Sequence, residues 1–242
     1  MKLHKAQAFT LIELLVVISI IAILAGIALP VFGEVKIRGD QTKALSNAKQ
    51  IGTACKIFAT DFSGIYPHFT DYPVGSATTP TEAKTGDDSN SVLGTLVPDY
   101  LPDKNIFVIA KSKYCLKAGS ATTGATTNPL GPGENHWAYV SGLNDTSNSR
   151  WPLIADGFDG PTSVKYTKDE NLVGGLWKGK KAIVIRCDAS GTVENLHSTG
   201  LYVKRSESEP LKNAFEGDAQ APTDGTLPWF SKTGNPVLNP KL

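Results

Sequence analysis

The stretch from Phe9 to Phe32 is almost wholly apolar and decides what the rest of the chain has to accommodate. At 1.5 Å per residue it makes a helix of roughly 36 Å, enough to cross a hydrocarbon layer of ~30 Å. Before it stands a short polar segment, Met1 to Ala8, with Lys2 and Lys5 and no acid. Within it the polar residues are Thr10, Glu13 and Ser19, with Gly26 and Pro30 as helix-weakening positions. Thr and Ser side chains bond back to helix carbonyls and are tolerated in such a segment. A carboxylate is different. At the centre of a membrane helix it costs on the order of 2.5–3.5 kcal/mol, less near an end, and such acids are usually paired.

Three plain readings compete for this stretch. A secretory signal peptide cut after Gly26-Ile27-Ala28 has suitable small residues, but neither the acid nor the length suits it. A single-pass anchor fits the length and leaves Glu13 without a partner. A core helix of a soluble protein is disfavoured by length. Charge does not settle orientation, because Lys36, Arg38 and Lys43 after the segment outnumber Lys2 and Lys5 before it.

The string Ala8-Phe9-Thr10-Leu11-Ile12-Glu13-Leu14-Leu15-Val16-Val17, running on to Ala28-Leu29-Pro30, resembles the prepilin cleavage and methylation signal of type IV pilins and type II secretion pseudopilins. The resemblance implies cleavage between Ala8 and Phe9 by a dedicated membrane aspartic peptidase, which then N-methylates Phe9. The family's acid falls on Glu13 and its helix-kinking proline on Pro30. Ala8 departs from the pattern, since most members carry Gly there. In such filaments the carboxylate is thought to meet the N-terminal amine of a neighbouring subunit. Pairing removes most of the cost of burying the charge.

From Ala44 an amphipathic stripe follows: Ala44, Ala48, Ile51, Cys55, Phe58 and Phe62, widened by Leu45, Gly52 and Ala59. Ser63-Gly64 and Pro67 supply the stop. The pattern predicts one long helix from about Phe9 to about Phe62, weakened at Pro30, Gly33 and Gly39. The ending Asp61-Phe62-Ser63-Gly64-Ile65-Tyr66-Pro67 is similar to the close of the major pseudopilin's spine helix.

Thr70 to Asn90 and Gly119 to Gly133 read as loops, Val92 to Leu101 as a short helix or turn, and Phe107 to Tyr114 as a short strand. Trp137 to Ser141, Pro152 to Ala155, Ala182 to Cys187 and Thr192 to Leu196 read as strands. The last two form a hairpin in which Gly191 takes the positive-φ position. A long helix followed by antiparallel strands makes the fold class α+β. The expected organisation is a leader at residues 1–8, a membrane-spanning and filament-core helix at 9–32, and its amphipathic second half at 33–67. A globular domain at 68–200 and an irregular, surface-wrapping segment at 201–242 complete it.

Hydrophobic content of 40% with 19% charged residues suits a folded chain, and a net charge of +1 carries none of the basic excess of a nucleic-acid binder. Motifs for hydrolases, metalloproteases and phosphate-binding loops are absent, so no catalytic residue is assigned and the chain reads as a non-enzyme. Cys55, Cys115 and Cys187 have no zinc-site spacing. With Cys55 on a buried helix face, Cys115 and Cys187 are the expected disulfide pair, with three separate thiols as the alternative. Asp156-Gly157-Phe158-Asp159-Gly160 is an acidic, glycine-rich loop. Asp156 and Asp159 are calcium candidates, calcium being the one cofactor considered, against a pair of Asp-Gly turns. Major pseudopilins bind calcium in a late loop, whose motif this sequence does not reproduce.

The resemblance thus implies a pilin-like subunit anchored once in the bacterial inner membrane, with its C-terminal domain in the periplasm. Its partners would be further copies and other pilin-like subunits, the prepilin peptidase, an inner-membrane secretion platform and the lipid bilayer. The machine would be a type II secretion pseudopilus. The alternatives are a minor pilin of a surface pilus and a membrane-tethered periplasmic binding domain, the last having no use for Glu13.

Overall fold

The computed structural model describes residues 10–69, 83, 87–115, 130–206, 211–216 and 236–242, with the side chains of Pro30 and Val31 excepted. The leader, Ala8, Phe9 and most of the two proposed loops lie outside these residues. The chain divides into two units, Met1–Lys43 and Ala44–Leu242.

Helix α1 runs over Leu11–Asp61, 51 residues, and its helical assignment continues through Pro30, Gly33 and Gly39. By length and composition it could cross a membrane. In the first unit its apolar side chains are exposed, from Leu11 at 83% to Ile27 at 67%. So continuous an apolar surface calls for lipid or a protein partner.

In the second unit the helix obeys the stripe. Ala44, Ala48, Ile51, Cys55, Phe58 and Ala59 are buried and Phe62 partly so. Each large side chain among them contributes roughly 1.5–3 kcal/mol by leaving water. Phe58 stacks on Phe62 at 4.1 Å and meets Tyr100 edge-on at 5.3 Å. The helix ends as Ser63-Gly64 directs: Ser63 and Gly64 take φ of 52° and 84°, and Gly64 N donates back to Ala59 O at 2.8 Å. Tyr66 N donates to Leu143 O and Asp145 N to Gly64 O, so this end is fastened to the loop after β1.

The sheet is antiparallel, in the order β4-β3-β2-β1-β5. Strand β1 is Trp137–Val140, β2 Pro152–Asp156, β3 Lys181–Arg186, β4 Gly191–Asn195 and β5 Val237–Leu238. Every residue of β1 and β2 is buried, so two layers cover the middle of the sheet. Helix α2, Ser89–Leu93, is capped by the Asp88 carboxylate, which accepts from Ser91 N at 2.9 Å. The α+β class is the observed one.

Three local expectations are corrected. Residues 107–114 form no strand: a 3₁₀ turn, Lys104–Phe107, leads into turns whose polar groups are used locally. The C-terminal segment is not wholly irregular, because β5 pairs with β1 through Tyr139–Leu238 and Val140–Val237. In the hairpin the positive φ falls on Ala189, at 63°, and not on Gly191. Asp188 takes the Ser190 N–H in an Asx turn at 2.8 Å, which moves the left-handed residue forward.

Gly191 has another task. A Cβ there would lie 2.5 Å from Ile185 Cδ1 across the hairpin, 2.9 Å from Lys49 Cε and 3.0 Å from Leu45 Cδ1, so its bareness makes room for Ile185 and lets helix and hairpin meet. Gly52 does the same from the helix side, with its would-be Cβ 2.8 Å from Ile185 Cγ2. Gly52→Val is therefore expected to destabilise by about 1–3 kcal/mol through overpacking. Thermal unfolding of the full chain, followed by near-UV circular dichroism, should show a fall of roughly 2–12 °C. An unchanged or raised midpoint would contradict this helix–sheet contact.

Candidate functional site

The helix start is built from Thr10 and Glu13. Thr10 N and Thr10 Oγ1 both donate to Glu13 Oε2, at 2.8 and 2.7 Å, and Glu13 N donates to Thr10 Oγ1 at 3.3 Å. This reciprocal pattern, Thr-x-x-Glu, is a capping box, which satisfies two of the first-turn N–H groups that a helix leaves open. Its carboxylate also sits at the positive end of the helix dipole. Glu13 thus has a local use that the sequence reading did not assign, and an isolated anchor would benefit from it too. Ala8, Phe9 and the Pro30 side chain, the other expected processing and assembly residues, lie outside the description.

The candidate calcium residues separate. Asp156 is buried at 2%, and its carboxylate is already occupied. Oδ1 accepts from His136 Nε2 at 2.8 Å, while Oδ2 accepts from Trp177 Nε1 at 2.9 Å and Ile183 N at 2.7 Å. Asp159 is exposed. Among the described residues, no group of three or more His, Cys, Asp or Glu could hold a metal ion. Asp156 is a structural carboxylate whose two oxygens already have partners. It sits where β2 ends and takes the Ile183 N–H that the ladder no longer serves. The neighbouring Gly157 is required by close packing, since a Cβ there would lie 2.8 Å from His136 O and against the Tyr114 ring.

Beyond His136 the chain of hydrogen bonds continues to Ser112, whose Oγ lies 2.6 Å from Nδ1 and also accepts from Tyr114 N at 3.1 Å. Ser112, His136 and Asp156 are joined in line, but all three are buried. Ser112 borders an open surface cleft with Lys111, Lys113, Cys115 and Glu170, while its own oxygen is committed inside. The set holds residues 104–115 against the sheet. A second buried cluster has Asn135 Nδ2 donating to Ser89 Oγ, Asn90 Oδ1 and Trp137 O, and Asn90 Oδ1 accepting from Lys241 N. Neither cluster was legible in the sequence, where its members are tens of residues apart.

All three cysteines are free thiols in the structure, so the expected Cys115–Cys187 bridge is not present. Cys187 and Cys55 are buried and Cys115 is half-buried.

Asp156→Ala strands three N–H donors in the core and is expected to cost about 3 kcal/mol or more. Asp156→Asn, which keeps one acceptor and the volume, should cost less; denaturant unfolding of both variants checks the order. Excess calcium or a chelator should leave the wild-type midpoint unchanged, because a ligand that stabilises must bind the folded state. A rise with calcium would restore the metal reading.

Comparison with known proteins places this N-terminal geometry. The family description "Prokaryotic N-terminal methylation motif" matches residues 3–29. The chain is 46% identical over 57 residues to "Type IV major pilin protein PilA" of Myxococcus xanthus (strain DK1622), covering 24% of this chain and 26% of that protein. It is 38% identical over 76 residues to a "Fimbrial protein" of Pseudomonas aeruginosa, covering 29% of this chain and 49% of that protein. The chain thus spans between a quarter and a half of the length of the curated relatives it matches. No solved structure matches it. The N-terminal methylation motif, the long helix that opens with it and the small antiparallel sheet that follows are together similar to the plan of the type IV pilin-like proteins.

Proposed function

We propose that the chain is a structural subunit of a pilin-like filament and not an enzyme. The single observation that carries this reading is the exposed apolar half of α1, which begins in a Thr-x-x-Glu turn within the matched methylation motif. Prepilin peptidase cuts between Ala8 and Phe9 and methylates Phe9. Residues 9–32 hold the subunit in the inner membrane with the C-terminal domain in the periplasm. Assembly exchanges lipid for neighbouring helices along the same surface. There the interaction is van der Waals packing rather than hydrophobic transfer, because lipid is as apolar as the helix. Glu13 supplies register: its charge finds the amine of a neighbouring Phe9 only when the subunits are correctly stepped.

Two machines use such a subunit. The spine ending Asp61-Phe62-Ser63-Gly64-Ile65-Tyr66-Pro67 favours a type II secretion pseudopilus. The printed names of the relatives, a major pilin and fimbrial proteins, favour a surface pilus. Deleting the gene separates them: loss of exported protein with cell-surface fibres intact marks the pseudopilus, and the reverse marks the pilus.

Mass spectrometry of the membrane-extracted protein should give N-methyl-Phe9 as the first residue. An intact Met1, or a start beyond Ala28, would sink the reading. Glu13→Gln tests the charge apart from the cap, because glutamine also completes a capping box. It should insert into the membrane normally and lose most fibre assembly. Wild-type fibre levels from Glu13→Gln would show that the residue serves the helix start alone.

A further inference from the structure

The packing of α1 on β3 brings two cysteines to one place. Gly52 rests on the hairpin: its would-be Cβ lies 2.8 Å from Ile185 Cγ2, 3.8 Å from Ala189 Cβ and 3.9 Å from Ala189 Cα. Three residues on, Cys55 shares that face of the helix. Two residues on from Ile185, Cys187 shares that face of the sheet, because side chains alternate along a strand. Cys187 is the first residue of the turn after β3, and its N donates to Trp151 O at 3.0 Å, beyond the register shift between Pro152 and Ile154; this bond holds it beside the end of β2. Cys55 is 0% and Cys187 3% exposed, and the Tyr66 hydroxyl, 2.8 Å from Cys187 O, closes the site.

Electrostatics agrees with this placement. Burial raises the Cys55 thiol, and the next influence on it is Cys187. Burial also raises Tyr66, followed by Cys187 and then Cys55. Burial, then Asp188, pushes Cys187 up to about 12. Cys115 answers to burial, Ile109 and Ser112, and to no other cysteine.

We propose that Cys55 and Cys187 form a disulfide tying the helix to the β3–β4 hairpin, and that Cys115 is the unpaired thiol. A disulfide needs Cα atoms within about 7 Å, and the bare Gly52 and small Ala189 are what let the two backbones come close. The occurrence of the bond in the cell rests on the exported position argued above; the pairing itself does not. The oxidant is a disulfide, either oxidised glutathione or the active-site cystine of a thiol oxidase. One cysteine thiolate attacks it and expels one of its sulfurs as a thiolate. The second cysteine attacks the mixed disulfide and expels the other sulfur. Two electrons and two protons pass from the cysteines to the oxidant, which ends as two thiols. The exchange runs before the core closes, since a buried thiol of raised pKa offers little thiolate. The structure carries the reduced pair.

The test uses the full chain, solubilised in detergent, reduced and denatured, then refolded in a glutathione redox buffer. After denaturing alkylation, a non-reduced peptide map should contain the Cys55 and Cys187 peptides joined, two hydrogens lighter than their sum, with Cys115 alkylated. Cys115→Ser should keep the link. A Cys115–Cys187 link, or alkylation of Cys55 and Cys187 in chain that has regained its near-UV dichroism, overturns the proposal. The same map on alkylated intact cells reads the compartment. A link that forms in the refolded chain and is missing in cells supports the pairing and refutes export.

Discussion

Helix α1 carries side chains for two different surroundings along one unbroken backbone, and the rest of the fold follows from that division. Through Leu29 the apolar residues point all round, which no single core can bury. From Ala44 the apolar residues recur at steps of three and four, which leaves one face for a sheet and one for water. The second pattern demands a layer of about the right size to cover the stripe. The sheet supplies it, with β3 and the hairpin turn against the helix. At the closest points a bare glycine on one side receives a side chain from the other: Gly52 of the helix takes Ile185, and Gly191 of the hairpin takes Lys49 and Leu45. Large side chains then fill the flanks, with Phe58, Phe62 and Tyr100 forming an aromatic group at the end of the stripe.

The parts that could be read from the sequence are those specified by neighbours in the chain. The stripe from Ala44 to Phe62, the Ser63-Gly64 stop and the β3–β4 hairpin each depend on spacing within a few residues, and each is found where the spacing puts it. The hairpin also marks the limit of that logic. Glycine was assigned the left-handed position because it is the residue that adopts it most easily. The Asx turn of Asp188 decided instead for Ala189, and Gly191 proved to be set by Ile185 across the hairpin together with the distant Lys49 and Leu45. Strand β5 was illegible for the same reason. Two residues pairing with β1 from almost a hundred positions away leave no periodicity to detect.

Asp156 makes the point for the candidate site. In the sequence it stands in a small acidic, glycine-rich loop, and its nearest charged neighbour is another aspartate. In the fold its neighbours are His136, Trp177 and the backbone of Ile183, all donors. A carboxylate with three N–H partners has no need of a cation, and a cation would have to displace them. Acid density in a loop is therefore weak evidence for calcium until the partners of each oxygen are known. Glycine beside an aspartate is equally ambiguous, since Gly157 answers to the Tyr114 ring rather than to a metal-binding turn.

Glu13 is the opposite case, in which an observed local role and a proposed long-range one fall on one residue. The capping box accounts for an acid three residues after Thr10 without any partner chain. It does not account for the charge, because glutamine would cap as well and would cost far less in an apolar surrounding. The cap fixes where the carboxylate stands, at the first turn of the helix. A group so placed is pre-positioned for the amine that the proposed assembly would bring from a neighbouring subunit, and little side-chain freedom would be left to lose. Under the proposed assembly the two roles would support each other: the hydrogen bonds that start the helix would also hold the charge ready for that amine.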